Sequence, residues 1–189
     1  MARKRGVTED DVVDAAARIA DSIGHDRVTL AAVAAEVGVR PPSLYAHVEG
    51  LDGVRRLLAL RAAEEIERAL SESARGREGT DALRALAHRY RQFARERPGL
   101  YAAAQRAVRP GEDDELYRAL GAAIVPVLEA LSQAGVPREE LVHITRAFRS
   151  ALHGFVELER ASGFGMPESV DESFAHLVEL ILSGVRGLA

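Results

Sequence analysis

The chain has 189 residues, enough for one fair-sized domain or for a small module joined to a larger one, since domains run to roughly 100–200 residues. Apolar residues make up 47% and charged residues 29%, the balance of a folded, water-soluble protein, and no run approaches the roughly 20 apolar residues of a membrane span. The net charge is −4 and cysteine is absent, which excludes a disulfide framework and a thiolate metal site, and requires any polyanion-binding role to rest on a local basic patch.

The start, Met1-Ala2-Arg3-Lys4-Arg5-Gly6, runs straight into Thr8-Glu9-Asp10-Asp11 with no apolar stretch suited to a leader, so a cytoplasmic location is expected. Apolar residues recur at helical spacing throughout and alternating β-branched runs are missing, which predicts an all-α fold of nine helices. The first opens at Thr8, with Asp11 completing a capping box and Val7 and Val12 at the spacing of a hydrophobic staple, and ends near Ile23 before Gly24. Two short helices follow in tandem, Leu30 to Val37 and one started by Arg40-Pro41-Pro42-Ser43, separated by Gly38. An amphipathic stretch then runs from Leu51 to about Ala74. Gly76 to Gly79 breaks the chain, and Thr80-Asp81 is expected to cap a helix that stops at Pro98. Gly99 to Val108 reads as a short helix. Glu112 to about Ala134 reads as one helix kinked at Pro126. Pro137, with Glu139 and Glu140 in the first turn, opens a long helix to about Ala161, and Val170 to Val185 forms the last.

Ala34, Gly38 and Leu44 stand where a helix-turn-helix needs a small residue, a turn glycine and a buried aliphatic. Ala34 lets two helices cross closely, and Val33, Val37, Val39 and Leu44 make the small core that fixes the crossing angle. That angle aims the second helix at a major groove, which admits a helix and presents a readable pattern of donors and acceptors.

The run Val28-Thr29-Leu30-Ala31-Ala32-Val33-Ala34-Ala35-Glu36-Val37-Gly38-Val39, followed by Ser43-Leu44-Tyr45-Ala46-His47-Val48, resembles the signature of the TetR/AcrR family of transcriptional regulators. The family pattern Leu-Tyr-x-His plus an apolar residue is met by Leu44, Tyr45, His47 and Val48. The chain departs from it at Leu51, where family members carry a lysine that meets a phosphate. Leu152-His153-Gly154-Phe155 and Gly163-Phe164-Gly165 are similar to the subgroup named for a Trp-His-Gly triplet, with leucine in place of the tryptophan.

The resemblance implies a helix-turn-helix DNA-binding domain over residues 1–50, a connecting helix over 51–75 and a helical effector-binding and dimerisation domain over 76–189. It implies a repressor that binds a near-palindromic double-stranded DNA operator as a homodimer. Tyr45 and Ser43 then reach phosphates or bases, Arg40 offers a fork to guanine or phosphate, and Thr29 caps its helix near the DNA backbone. Pro41 and Pro42 remove donors that would be orphaned anyway. Arg3, Lys4 and Arg5 form an arm over phosphates or into the minor groove. His47 contacts the DNA or packs, and Tyr45 has the alternative of a half-buried packing aromatic.

In the helical body, Leu141, Ile144, Phe148, Ala151, Phe155 and Leu158 fall at spacings of three and four. Phe174, Leu177, Ile181 and Gly184 continue the stripe on the last helix. With Gly154 and Gly184 allowing close approach, these residues suit a four-helix seam between two subunits. The alternative is that the stripes face their own core. Leu86, Tyr90, Phe93, Tyr101, Gln105, Tyr117, Phe148 and Leu152 are candidates for lining a cavity for a small apolar or aromatic effector, each with a core alternative. Such an effector would shift the long helix after Leu51 and relieve repression.

No metal or cofactor is expected. His25, His47, His88, His143, His153 and His176 include no pair at the spacing of a helical metal site, and neither a phosphate-binding glycine loop nor a nucleophile elbow occurs. The alternatives to a DNA reader are a helical protein-interaction scaffold and, more distantly, a helical enzyme.

Overall fold

Thr8 caps the first helix as its spacing requires. In the computed structural model, which describes residues 6–188, the Thr8 amide donates to Asp11 Oδ2 at 2.8 Å, and Thr8 Oγ1 accepts from the Asp11 amide at 3.2 Å. Nine α-helices and two 3-10 segments follow among the described residues, and no strand. The helices are α1 (Glu9–Ile23), α2 (Leu30–Val37), α3 (Gly50–Ala74), α4 (Gly79–Glu96), α5 (Pro98–Ala103), α6 (Asp114–Ala122), α7 (Val125–Gln133), α8 (Leu141–Arg160) and α9 (Val170–Arg186); the 3-10 segments are His25–Arg27 and Pro41–Ala46. No helix of the described residues is long and apolar enough to cross a membrane.

The all-α class and the count of nine agree with expectation, but the nine are not the same nine. The short rod after Gly38 is 3-10 rather than α. The single kinked helix expected from Glu112 to Ala134 is two helices, because Pro126 lacks an amide hydrogen and its ring opposes the carbonyl four residues back, at Ala122, where α6 ends. Pro126 then sits in the first turn of α7, the position that tolerates it. Pro137 opens a turn, its carbonyl accepting from the Glu140 amide at 2.9 Å, and α8 begins only at Leu141. Thr80 and Asp81 lie inside α4, which starts at Gly79, instead of capping it.

One compact unit runs to Glu65 and takes in Glu96–Leu120. Residues 6–50 fall wholly within it. Its core is the α1 stripe of Val12, Val13, Ala16 and Ala20, with Val28, Val33, Leu44, Val54, Leu58, Leu100, Tyr101 and Leu116, all buried. Ion pairs tie its helices. Arg61 of α3 meets Asp14 of α1 at 2.6 Å, and Arg56 of α3 holds Asp113 at 2.6 and 3.0 Å and Glu115 at 2.6 Å.

The second unit comprises Ile66–Arg95 and the chain from Gly121 onward. Its core takes Leu83, Leu86, Tyr90 and Phe93 from α4, Val127 and Leu131 from α7, Phe148, Leu152 and Val156 from α8, and Phe174, Val178 and Leu182 from α9. Arg91 is buried among them, 6% exposed, with its guanidinium 4.6 Å from the Phe174 ring centre and 5.4 Å from that of Phe155. Glu159 accepts from it at 2.5 and 3.0 Å and Asp171 lies at 2.7 Å, so the charge is desolvated only where it is paired.

Candidate nucleic-acid interface

The helix-turn-helix is built on one glycine and one leucine. Thr29 Oγ1 accepts from the Ala32 amide at 3.2 Å and starts α2. Gly38 ends it with φ 75° and ψ 32°, left-handed values that a side chain with a Cβ resists. The Val39 amide donates to the Ala34 carbonyl at 2.9 Å, which turns the chain out of α2. Arg40 is extended, as the residue before a proline must be, and Pro41–Ala46 winds as a 3-10 rod. Two successive prolines leave no amide hydrogens at the start of the rod, and it closes through residue i to i+3 bonds such as His47 amide to Leu44 carbonyl at 2.8 Å.

Leu44 is the rod's inward anchor, 0% exposed; the rod packs on α2, and Val28, Val33, Ala34 and Val48 are buried as well. Val37 and Val39, expected in this small core, are only half-buried. Every other residue of the rod faces out: Pro41, Pro42, Ser43 and Ala46 are exposed and Tyr45 is 64% exposed. Arg40 and Thr29 are exposed too, and His47 is half-buried. The structure therefore brings Thr29, Arg40, Pro41, Pro42, Ser43 and Tyr45 to the surface of one small bihelical motif. Arg3, Lys4 and Arg5 lie outside the described residues.

The charges around the motif are unequal in their freedom. Arg18 is paired with Glu36 at 3.0 Å across α1 and α2. Arg27 and Arg40, which flank α2, make no ion pair among the described residues. Arg27 escaped the sequence reading. It closes the 3-10 turn His25–Arg27 and is exposed, as Thr29 is, on either side of the buried Val28, and no periodicity in the sequence marks it. His25, in the turn before α2, has Nδ1 buried without a hydrogen-bond partner. Burial holds its pKa below the ordinary value, with Arg55 pushing the same way and Asp26 opposing, so the ring is neutral near neutrality.

The candidate effector residues divide between the units. Leu86, Tyr90, Phe93, Phe148 and Leu152 are buried in the second unit. In the first, Tyr101 is 0% exposed, and its carbonyl accepts from Gln105 Nε2 at 3.0 Å. Tyr117 corrects the expectation: it is 45% exposed on α6 and so is a surface residue rather than a wall of an enclosed site. None of these eight borders the groove of about 380 Å³ that Gly6, Val7, Asp11, Asp14, Arg18 and Val37 line beside α1.

The expected dimer seam also divides. Leu158 is 53% exposed, Gly154 and Gly184 are exposed, and apart from its chain neighbours and the backbone of its own helical turns nothing lies within 4 Å of where a Cβ on either glycine would stand. Leu141, Ile144, Ala151, Phe155, Leu177 and Ile181 are half-buried. Phe174 is a correction: at 0% exposure, with the Phe155 and His88 rings 5.1 and 5.4 Å from it, it has no surface to give a second chain. Phe148 is likewise core. Leu180, 72% exposed and next to Leu177 and Gly184 at helical spacings of three and four, and Val142, 52% exposed, are further apolar surface that the stripe left out. No group of histidines and carboxylates able to hold a metal occurs among the described residues.

Residues 83–181 match the protein family described as Tetracyclin repressor-like, C-terminal domain. Over 186 residues the chain is 37% identical to the HTH-type transcriptional regulator YobS of Bacillus subtilis (strain 168), covering 98% of this chain and 96% of that one. It is 33% identical over 188 residues to the HTH-type transcriptional regulator Rv0681 of Mycobacterium tuberculosis (strain ATCC 25618 / H37Rv), covering 100% of this chain and 84% of the relative. Its fold is similar to the crystal structure of TetR from Acinetobacter baumannii AYE, with a TM-score of 0.71 over 97% of this chain and 98% of that one at 19% identity.

Proposed function

This chain belongs to the TetR family of DNA-binding, non-enzymatic transcriptional regulators, and from that premise we propose that it is a homodimeric repressor of a near-palindromic operator, released by a small apolar effector. The single observation that carries the reading is the rod Pro41–Ala46, pinned through Leu44 and otherwise exposed, with Tyr45 at its outer face. A rod held in this way offers side chains in a fixed register, which base recognition needs.

Tyr45, Ser43 and Arg40 are assigned to bases and phosphates, Pro41 and Pro42 to the approach, Thr29 to the backbone, and Arg3, Lys4 and Arg5 to an arm. His47 is assigned to the rim of the contact. Dimerisation is assigned to α8 and α9, where Ala151, Gly154, Leu158, Leu177, Ile181 and Gly184 leave a face of small and aliphatic residues that α8 and α9 of a second copy can cover. Two rods about 34–36 Å apart then read two half-sites. Leu152-His153-Gly154 supports placing the body near the Trp-His-Gly subgroup. For the effector, Tyr90, Phe93, Phe148 and Leu152 supply apolar surface. The Thr145 hydroxyl, buried without a hydrogen-bond partner, is a polar handle that a ligand can satisfy.

Footprinting the purified protein on the DNA flanking its own gene tests the operator, and titrating that complex with apolar and aromatic metabolites tests release. A protected near-palindrome that is lost on adding one metabolite is the expected result. Protection that no metabolite alters would remove the effector, and no protection would remove the operator.

A further inference from the structure

The DNA-reading motif does not set its own attitude. Its first helix is seated on a segment some distance along the chain, α5, through a junction with almost no freedom. Asp21, near the end of α1, accepts from the Gly99 amide at 2.8 Å and the Leu100 amide at 3.3 Å with Oδ1, and from Arg97 Nε at 2.7 Å with Oδ2. One carboxylate thus caps α5 from outside, where Arg97 has no side-chain cap to give and Pro98 has no amide hydrogen. A second nitrogen of Arg97 donates to Glu65 of α3, so the guanidinium bridges α1 and α3. Gly99 closes the contact: a Cβ there would stand 2.2 Å from the Ala20 carbonyl carbon and 2.4 Å from the Asp21 nitrogen, both backbone atoms that no rotamer change can move. Leu100 and Tyr101 are then fully buried, and α5 also packs on the His25–Arg27 turn that leads into Thr29 and α2.

We propose that Asp21, Arg97 and Gly99 are positioning residues for DNA reading: α5 is a structural part of the reading head, and this latch fixes the angle at which α1, the turn and α2 present the rod to a duplex. The inference rests on the operator reading given above. None of the three touches DNA in it. Their effect falls on register, and register matters for base contacts far more than for phosphate contacts, which tolerate small tilts and depend mainly on charge. Loosening the latch therefore separates specificity from affinity, which simple unfolding does not.

The test uses the full chain and two probes: a duplex enriched by the wild-type protein from a random pool, and the same duplex with its sequence shuffled. Arg97→Gln and Asp21→Asn are expected to weaken binding to the enriched duplex by about ten-fold or more while binding to the shuffled duplex stays within about two-fold, with the salt slope, helical content and oligomeric state unchanged. Arg97→Lys, which keeps a charge opposite Glu65 but loses the fork to Asp21, is expected to fall between. Gly99→Ala should act in the same way, and if it fails to fold, Asp21→Asn, which keeps the shape of the side chain, and Arg97→Gln still decide. Variants that keep the wild-type preference, or lose both probes equally, overturn the latch. A wild type that enriches no sequence counts instead against the operator reading, so the two failures are told apart.

Discussion

Leu44 and Tyr45 are neighbours in sequence with opposite duties, and their contrast separates folding from recognition. Leu44 is 0% exposed and Tyr45 is 64% exposed, on a rod too short to hold itself. Leu44→Ala is expected to cost about 2–5 kcal/mol of stability, because it empties the contact that pins the rod. Tyr45→Ala is expected to leave stability within about 0.5 kcal/mol and to weaken operator binding by about 1–3 kcal/mol. Denaturant unfolding and DNA titration of both variants check the pair of outcomes, and a stable Tyr45→Ala protein with full affinity would remove Tyr45 from the interface.

Glu159 gives a second test at single-residue resolution. The Arg91 guanidinium bonded to it, with Arg95 beside that, holds its carboxyl below the ordinary value, against the opposite push of burial. A folded-state pKa below the unfolded one makes the contribution fully present above the ordinary carboxylate value and lost as the pH falls through the lowered one. His88 acts in the same direction: burial first, then the charges of Arg91 and Arg84, lower its pKa, so protonating it opposes folding. Unfolding followed from about pH 7 down to about pH 3 should therefore show a steep acid loss that Glu159→Gln flattens. A variant as acid-sensitive as the wild type would assign the loss to other groups.

Among the elements, those with a local chemical cause were legible in the sequence. The Thr8 capping box, the Thr29 cap and the Gly38 turn rest on residues within a few positions of each other and are present in the structure. The exposure of Arg40, Ser43 and Tyr45 followed from the same pattern. What stayed hidden depends on competition or distance. Whether Pro41–Ala46 winds as α or 3-10 turns on hydrogen bonds that two prolines withdraw, and apolar spacing over six residues does not distinguish the two. Pro126 reads as a kink or as a restart, and only the end of α6 at Ala122 decides between them. The Asp21, Arg97 and Gly99 junction was illegible because its partners are more than seventy residues apart and no periodicity links them. Phe174 was misassigned because a stripe at spacings of three and four marks a buried face without saying which body buries it. Gly38→Ala isolates one legible element. Apart from its chain neighbours no atom lies within 4 Å of the new Cβ, so only the left-handed backbone is penalised, and a loss of about 1–2 kcal/mol in unfolding free energy is expected, smaller for Gly38→Asn. A neutral Gly38→Ala would mean that the turn relaxes out of that conformation.

For the assembled protein, the proposal of a dimer places its weight on the outer faces of α8 and α9. Leu180→Glu puts a charge on the most exposed aliphatic of that face without disturbing a buried contact. Sedimentation should then report a folded monomer, with operator affinity reduced because one rod cannot engage two half-sites. A dimer that survives the substitution would move the interface elsewhere.

The most direct measurement is the affinity of the purified protein for a short duplex across a salt series. A DNA-binding regulator with a net charge of −4 must draw its affinity from a local set of cations such as Arg27 and Arg40, each releasing counterions on contact. The predicted result is a linear fall of log affinity with log salt, amounting to about 10³-fold or more between about 50 and about 200 mM salt for a dimer touching at least about six phosphates. A flat line, or no binding to any duplex at the lowest salt, would contradict DNA binding by this chain.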